Sequence, residues 1–136
     1  MRSTLTRLSI CFAAGCVGGL VNSLAMWGAG AAQITTRLGV RLAPTFTYDW
    51  LYRHVMWGGL WGLLLLLPLL RRRSIIVRGV VFSLAPTLAQ LFYFFPQAQR
   101  GMLGLQLGQL TPLFVFLFNV VWGVTAAGWA RQAGAN

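Results

Sequence analysis

Acid is almost absent from this chain of 136 residues: Asp49 is its only acidic side chain, lysine does not occur, and His54 is the single histidine. That scarcity removes most site chemistry at once. Acid/base catalysis by paired carboxylates has no second partner for Asp49. One histidine, one aspartate and two cysteines, scattered as they are, match no metal-ligand spacing, and a lone His54 cannot supply both axial ligands of a bis-histidine haem. No P-loop lysine accompanies the glycines, so no phosphate-binding loop is present. Neither an enzymatic activity nor a cofactor nor a metal is expected.

Charge of either sign is scarce as well. Charged residues make up 9% of the chain and apolar ones 57%, too little charge to cover the surface of a water-soluble domain. A mean hydropathy of +0.70 and six tryptophans fit the apolar exterior with aromatic rims that lipid requires. The formal net charge of +10 would suggest nucleic acid in a soluble protein. Here all eleven basic residues are arginines that punctuate apolar runs instead of lining one face. The expected partner is therefore a lipid bilayer and not nucleic acid.

Four apolar runs are long enough to cross it. They cover residues 8–28, 50–70, 75–95 and 112–130, each about 28–32 Å as a helix. Pro68 and the cluster Arg71, Arg72, Arg73 close the second, Pro96 closes the third, and Thr111-Pro112 opens the fourth as a cap followed by proline in the first turn. The fold class is thus all-α: a single polytopic domain over residues 1–136, four transmembrane helices in an up-down bundle. Between the first two spans, Ile34, Leu38 and Leu42 recur every fourth residue; between the last two, Leu103, Leu107 and Leu110 form a stripe beside Gln106 and Gln109. Both patterns predict short interfacial helices, with a re-entrant element as the alternative for the second.

Arginine placement orients the bundle. With the N-terminus inside, Arg2, Arg7, Arg71, Arg72, Arg73, Arg78 and Arg131 are cytoplasmic, against Arg37, Arg41, Arg53 and Arg100 outside. Both termini are expected in the cytoplasm of a cell with a bacterial-type inner membrane, with Arg71, Arg72, Arg73 and Arg78 meeting anionic lipid head groups. A rival reading takes Arg2 and Arg7 with Ala13-Ala14-Gly15-Cys16 as a cleaved lipoprotein signal; the apolar stretch before Cys16 is short for that and continues well beyond it. Cys11 and Cys16 lie five apart, off a shared helix face, so no disulfide between them is expected.

Two sets of residues suggest what the helices do. Gly15 with Gly19, and Gly58 with Gly62, repeat at four-residue spacing and leave flat stripes for close helix packing, within the monomer or between copies. Asp49 and Arg53 form a local i,i+4 ion pair, and Arg53 also comes within reach of a cation–π contact with Trp57. Counted from the same end of each span, Asn22, His54, Gln90 and Asn119 fall at similar depth, about 6–11 Å below the outer interface. Amides unsatisfied in hydrocarbon are costly, so these groups should turn inward and bond one another, water or a ligand. Pro86, one turn before Gln90, frees a carbonyl near that layer.

Read as interhelical glue, the layer belongs to an accessory or scaffolding subunit that works through helix contacts with itself or a larger membrane complex. Read as a cavity, it belongs to a small transporter, channel or membrane protein binding a lipid head group or a quinone-like ring. The first is the leading expectation and the second its alternative. An intramembrane carboxylate, usual in proton-coupled export, is missing.

Overall fold

The computed structural model describes residues 3–70 and 72–134. Among the described residues every regular element is helical. Ser3 opens helix α1 (Thr4–Ala31), its hydroxyl accepting the Thr6 amide. A single turn, α2 (Ile34–Arg37), follows, then an irregular stretch to α3 (Tyr48–Gly62), capped by Thr47. Helix α4 (Ile75–Ala89) starts under the Ser74 cap, passes without a break into a π-helical turn (Gln90–Phe94) and ends as α5 (Phe95–Gln97). A 3-10 segment (Met102–Leu107) leads to α6 (Thr111–Gln132).

Three helical stretches are long and apolar enough to cross a membrane: Thr4–Ala31, Ile75–Gln97 and Thr111–Gln132. The run expected over 50–70 is different. Its α-helix ends at Gly62, four leucines continue as a 3-10 helix (Leu63–Leu66), and Leu67 is extended at φ −66°, ψ 135°. The cause is Pro68, whose ring disfavours helical backbone at the residue before it. At Pro96 the expectation fails the other way, since the helix does not stop there. The π turn bonds the Phe95 amide to the Gln90 carbonyl, which places Pro96 in the first turn of α5, where no amide hydrogen is needed.

Helix α1 packs against α3 and α6, and α6 packs against α4. The fourth side of the square is open, because α3 and α4 make almost no close approach. Glycine decides the first contact. The Cβ that Gly15 lacks would fall 2.7 Å from Gly62 Cα, and the one Gly58 lacks 2.9 Å from Gly19 Cα, so the α1 and α3 backbones touch directly. All four glycines are thereby used within one chain. Buried Cys11, Ala14, Trp122, Ala126, Ala127 and Ala130 fill the adjoining α1–α6 seam, and both cysteines are free thiols.

The two long connections meet over one end of the helices. The Arg41 amide donates to the Leu107 carbonyl at 2.8 Å, and the Arg41 guanidinium donates to the Gln106 carbonyl. Val40 is fully buried against Phe114 and Phe118. The four-residue periodicity of Ile34, Leu38 and Leu42 therefore does not describe one helix. Helical backbone ends at Arg37, Ile34 and Leu38 stay exposed, and the irregular chain after Gly39 brings Leu42 against the buried Val40, Phe114 and Phe118.

At the opposite end, arginines from three helices hold the chain that leaves α3. Arg7 donates to the Leu66 carbonyl at 3.4 Å and Arg131 to the Arg73 carbonyl at 2.6 Å. Arg78 donates to the carbonyls of Leu65, Leu67 and Leu69 at 2.9, 3.3 and 3.2 Å. Its side chain is completely buried, with the guanidinium 5.2 Å from the centre of the Phe82 ring. The assignment of Arg78 to lipid head groups is thus corrected. The carbonyls released by the broken helix around Pro68 draw it inward. Arg72 and Arg73 are exposed, and Arg71 lies outside the described residues.

Candidate functional site: a polar cavity beside the open edge

Asn22, His54, Gln90 and Asn119 stand on α1, α3, the π turn and α6, and all four line one cavity of about 290 Å³. Its walls are aromatic: Trp57 and Trp61 from α3, Phe94 from the π turn, Phe118 and Trp122 from α6. Leu42 reaches it from the capping connection, and Arg53 stands at its edge. The cavity lies where α3 and α4 fail to meet. Side chains reach across the gap there, with the Trp57 and Phe94 rings edge to face at 5.7 Å.

Local structure fixes two of the polar groups. His54 Nδ1 lies 2.9 Å from the Trp50 carbonyl one turn earlier, and its ring rests 4.7 Å from the Trp50 ring. A carbonyl only accepts, so Nδ1 carries the hydrogen and, in the neutral ring, Nε2 is left as an acceptor. On α6, Asn119 donates through Nδ2 to the Thr87 hydroxyl at 3.0 Å, and Thr87 in turn donates to the Ser83 carbonyl at 2.8 Å. Because the Thr87 hydrogen is already committed, its oxygen must accept from Asn119. That sets the amide orientation and leaves Asn119 Oδ1 as a further acceptor.

The other two are not tied down. Asn22 Oδ1 is buried and has no hydrogen-bond partner in the protein. Gln90 is half-buried at the first position of the π turn, a backbone form that is rare and concentrated at functional sites. Pro86, also on the wall, has no amide hydrogen to give the Phe82 carbonyl, so the polar layer and the irregular backbone coincide. The four side chains do not form the mutually bonded cluster that glue requires. The hydrogen bonds of His54 and Asn119 run to Trp50 and Thr87 instead.

Arg53 is exposed and pairs with Asp49, as the spacing suggested. Its expected cation–π contact with Trp57 gives way to that pair, and the contact of this kind among the described residues is Arg78 with Phe82. Two residues that composition and spacing did not flag matter here. Thr87 hides in a sequence because its hydroxyl is satisfied by its own helix. Trp122 looks like one more apolar ring, yet its buried indole N–H is 3.2 Å from both the Gly15 and the Gly58 carbonyls and ties α6 to the glycine contact. Its signal was the pairing of a tryptophan donor with helices whose missing Cβ atoms leave carbonyls accessible.

No protein-family model, curated protein or solved structure matches this chain.

Proposed function

We propose that this is a four-span protein of a bacterial-type inner membrane, both termini cytoplasmic, which binds a small amphiphile in the cavity beside the α3–α4 gap. The single observation that carries the binding reading is the convergence of Asn22, His54, Gln90 and Asn119, from four separate segments, on one aromatic-walled space. A mostly apolar pocket with a few convergent polar groups is the usual form of a small-molecule site. Binding is also the step that carrier, channel and lipid-binding functions have in common.

The scaffold reading is weaker for a physical reason. The glycine stripes were open to contacts within the monomer or between copies, and Gly15, Gly19, Gly58 and Gly62 face each other inside this one chain. As for the fourth span, α3 rises about 22 Å and its 3-10 extension about 8 Å, together close to the hydrocarbon thickness. A reporter fused after Gln97 is expected to be active only outside the cytoplasm, and one at the C-terminus only inside it. The reverse pattern, cytoplasmic activity after Gln97 and outside activity at the C-terminus, would remove α3 from the count of spans.

The binding reading predicts a ligand-dependent rise in stability. For the purified full chain in detergent, saturation with an alkylphenol, alkylquinone or short-chain phospholipid at a hundred times Kd should add about 2.7 kcal/mol. Met26, half-buried on the cavity wall, is the place to block it. Met26→Trp should fold and show no shift in its unfolding midpoint with any of them. An equal shift in the variant would place the ligand elsewhere.

A further inference from the structure

We propose that the ligand is a neutral aromatic ring bearing O–H or N–H donors, a phenol or hydroquinone head on an apolar tail, and that donor-free forms of the same compound are discriminated against. This rests on the cavity being a binding site and adds which chemistry it selects. Among the imidazole and amide groups of the cavity, the two whose hydrogen-bonding sense the fold determines are both acceptors: His54 Nε2, because Nδ1 is committed to the Trp50 carbonyl, and Asn119 Oδ1, because Nδ2 is committed to Thr87; of the donors on the wall, Arg53 is paired with Asp49 and the Trp122 indole with the Gly15 and Gly58 carbonyls. The amides of Asn22 and Gln90 can present either end and so adapt to a ligand, and neither donates to the two fixed acceptors in the structure. Asn22 Oδ1, without a partner in its present rotamer, gains one by turning toward a donor. A ligand lacking donors leaves these lone pairs desolvated, which is how a site built for a hydroxyl rejects its analogue.

Charge and size narrow the class. Arg53 is the charged residue on the wall and no carboxylate lines it, so a cation finds no counter-charge. A dry cavity of about 150 Å³ holds a benzene ring. The 290 Å³ here accommodates one substituted ring between the indoles of Trp57, Trp61 and Trp122, and not a lipid body. An apolar tail leaves between α3 and α4, which approach each other least, past the Trp57 and Phe94 rings.

The test uses the full chain in nanodiscs, with empty nanodiscs subtracted for partitioning, and calorimetric titration with four probes sharing one alkyl chain. These are the 4-alkylphenol, its methyl ether, the alkylhydroquinone and the alkylquinone. Phenol and hydroquinone are expected to bind about tenfold tighter or more than ether and quinone. In His54→Phe, which keeps a ring against Trp50 and removes Nε2, the preference should fall to less than about threefold. Equal affinities on the unaltered chain overturn the donor rule and leave the cavity reading standing, and they do so whether or not the variant folds. No binding of any probe overturns both. An undiminished preference in folded His54→Phe removes His54 Nε2 from the recognition.

Discussion

Gly58→Leu is expected to abolish accumulation of the folded chain. Even the first carbon of the new side chain would stand 2.7 Å from the Gly15 carbonyl oxygen and 2.9 Å from Gly19 Cα, and these are backbone atoms of a helix that cannot swing aside. Relief requires α1 and α3 to separate. Separation also pulls the Gly15 and Gly58 carbonyls away from the Trp122 indole that bridges them. Between helices in lipid, close packing and such hydrogen bonds are what drive association, since tails are as apolar as leucine. Overpacking against yielding side chains costs about 1–3 kcal/mol, and against backbone the loss should exceed ~3 kcal/mol.

Gly28→Ala is the matched control, because a Cβ there meets nothing within 4 Å. It should be neutral, or stabilising by a few tenths of a kcal/mol through helix propensity. The measurement is the yield of monodisperse protein after detergent extraction. Similar yields for Gly58→Leu and Gly28→Ala would mean that α1 and α3 do not touch as described.

Arg78→Leu should be the next most damaging change. The side chain is fully buried and donates to the carbonyls of Leu65, Leu67 and Leu69, which the Pro68 break leaves without helical partners. Removing the donor strands acceptors at about 1–3 kcal/mol each, so a total loss of ~3 kcal/mol or more is expected. Arg78→Lys should recover only part, because an ammonium lacks the planar fork that reaches three carbonyls at once. Exposed Arg72 is the comparison, and Arg72→Gln should stay within about 0.5 kcal/mol of the parent. Unfolding midpoints in a denaturant titration decide it. Were Arg78 an exposed side chain like Arg72, the two substitutions would behave alike.

These two expectations differ in how visible they were. The glycine stripes could be read at four-residue spacing, since a helix face follows directly from local geometry. Which face they met could not, because Gly15 opposes Gly58 only once α3 lies antiparallel on α1. Arg78 was misplaced on the same count: one turn past Arg71–Arg73, it looks like another arginine of the positive side. Its burial depends on where the carbonyls of residues 65–69 go after Pro68, a long-range matter that hydropathy does not carry.

The sequence by itself determined the class of structure, helices long and apolar enough to cross a membrane. With one acid and long apolar runs, water could not cover the chain, and lipid forces backbone hydrogen bonds into helices. It also determined that a polar side chain recurs at one depth in each apolar run, because depth along a helix is a matter of counting residues. Tertiary structure decided the rest. Whether four polar groups at one depth bond each other or face a common space depends on helix rotation and on which pair of helices stays apart. The α1–α3 glycines, the α1–α6 contact at Gly18 and Trp122, and the α6–α4 contact at Gly79 and Gly123 draw three sides of the square tight. The fourth side, where the π turn and Pro86 interrupt regular helix, remains open, and the polar layer became a cavity there because no backbone came close enough to fill it.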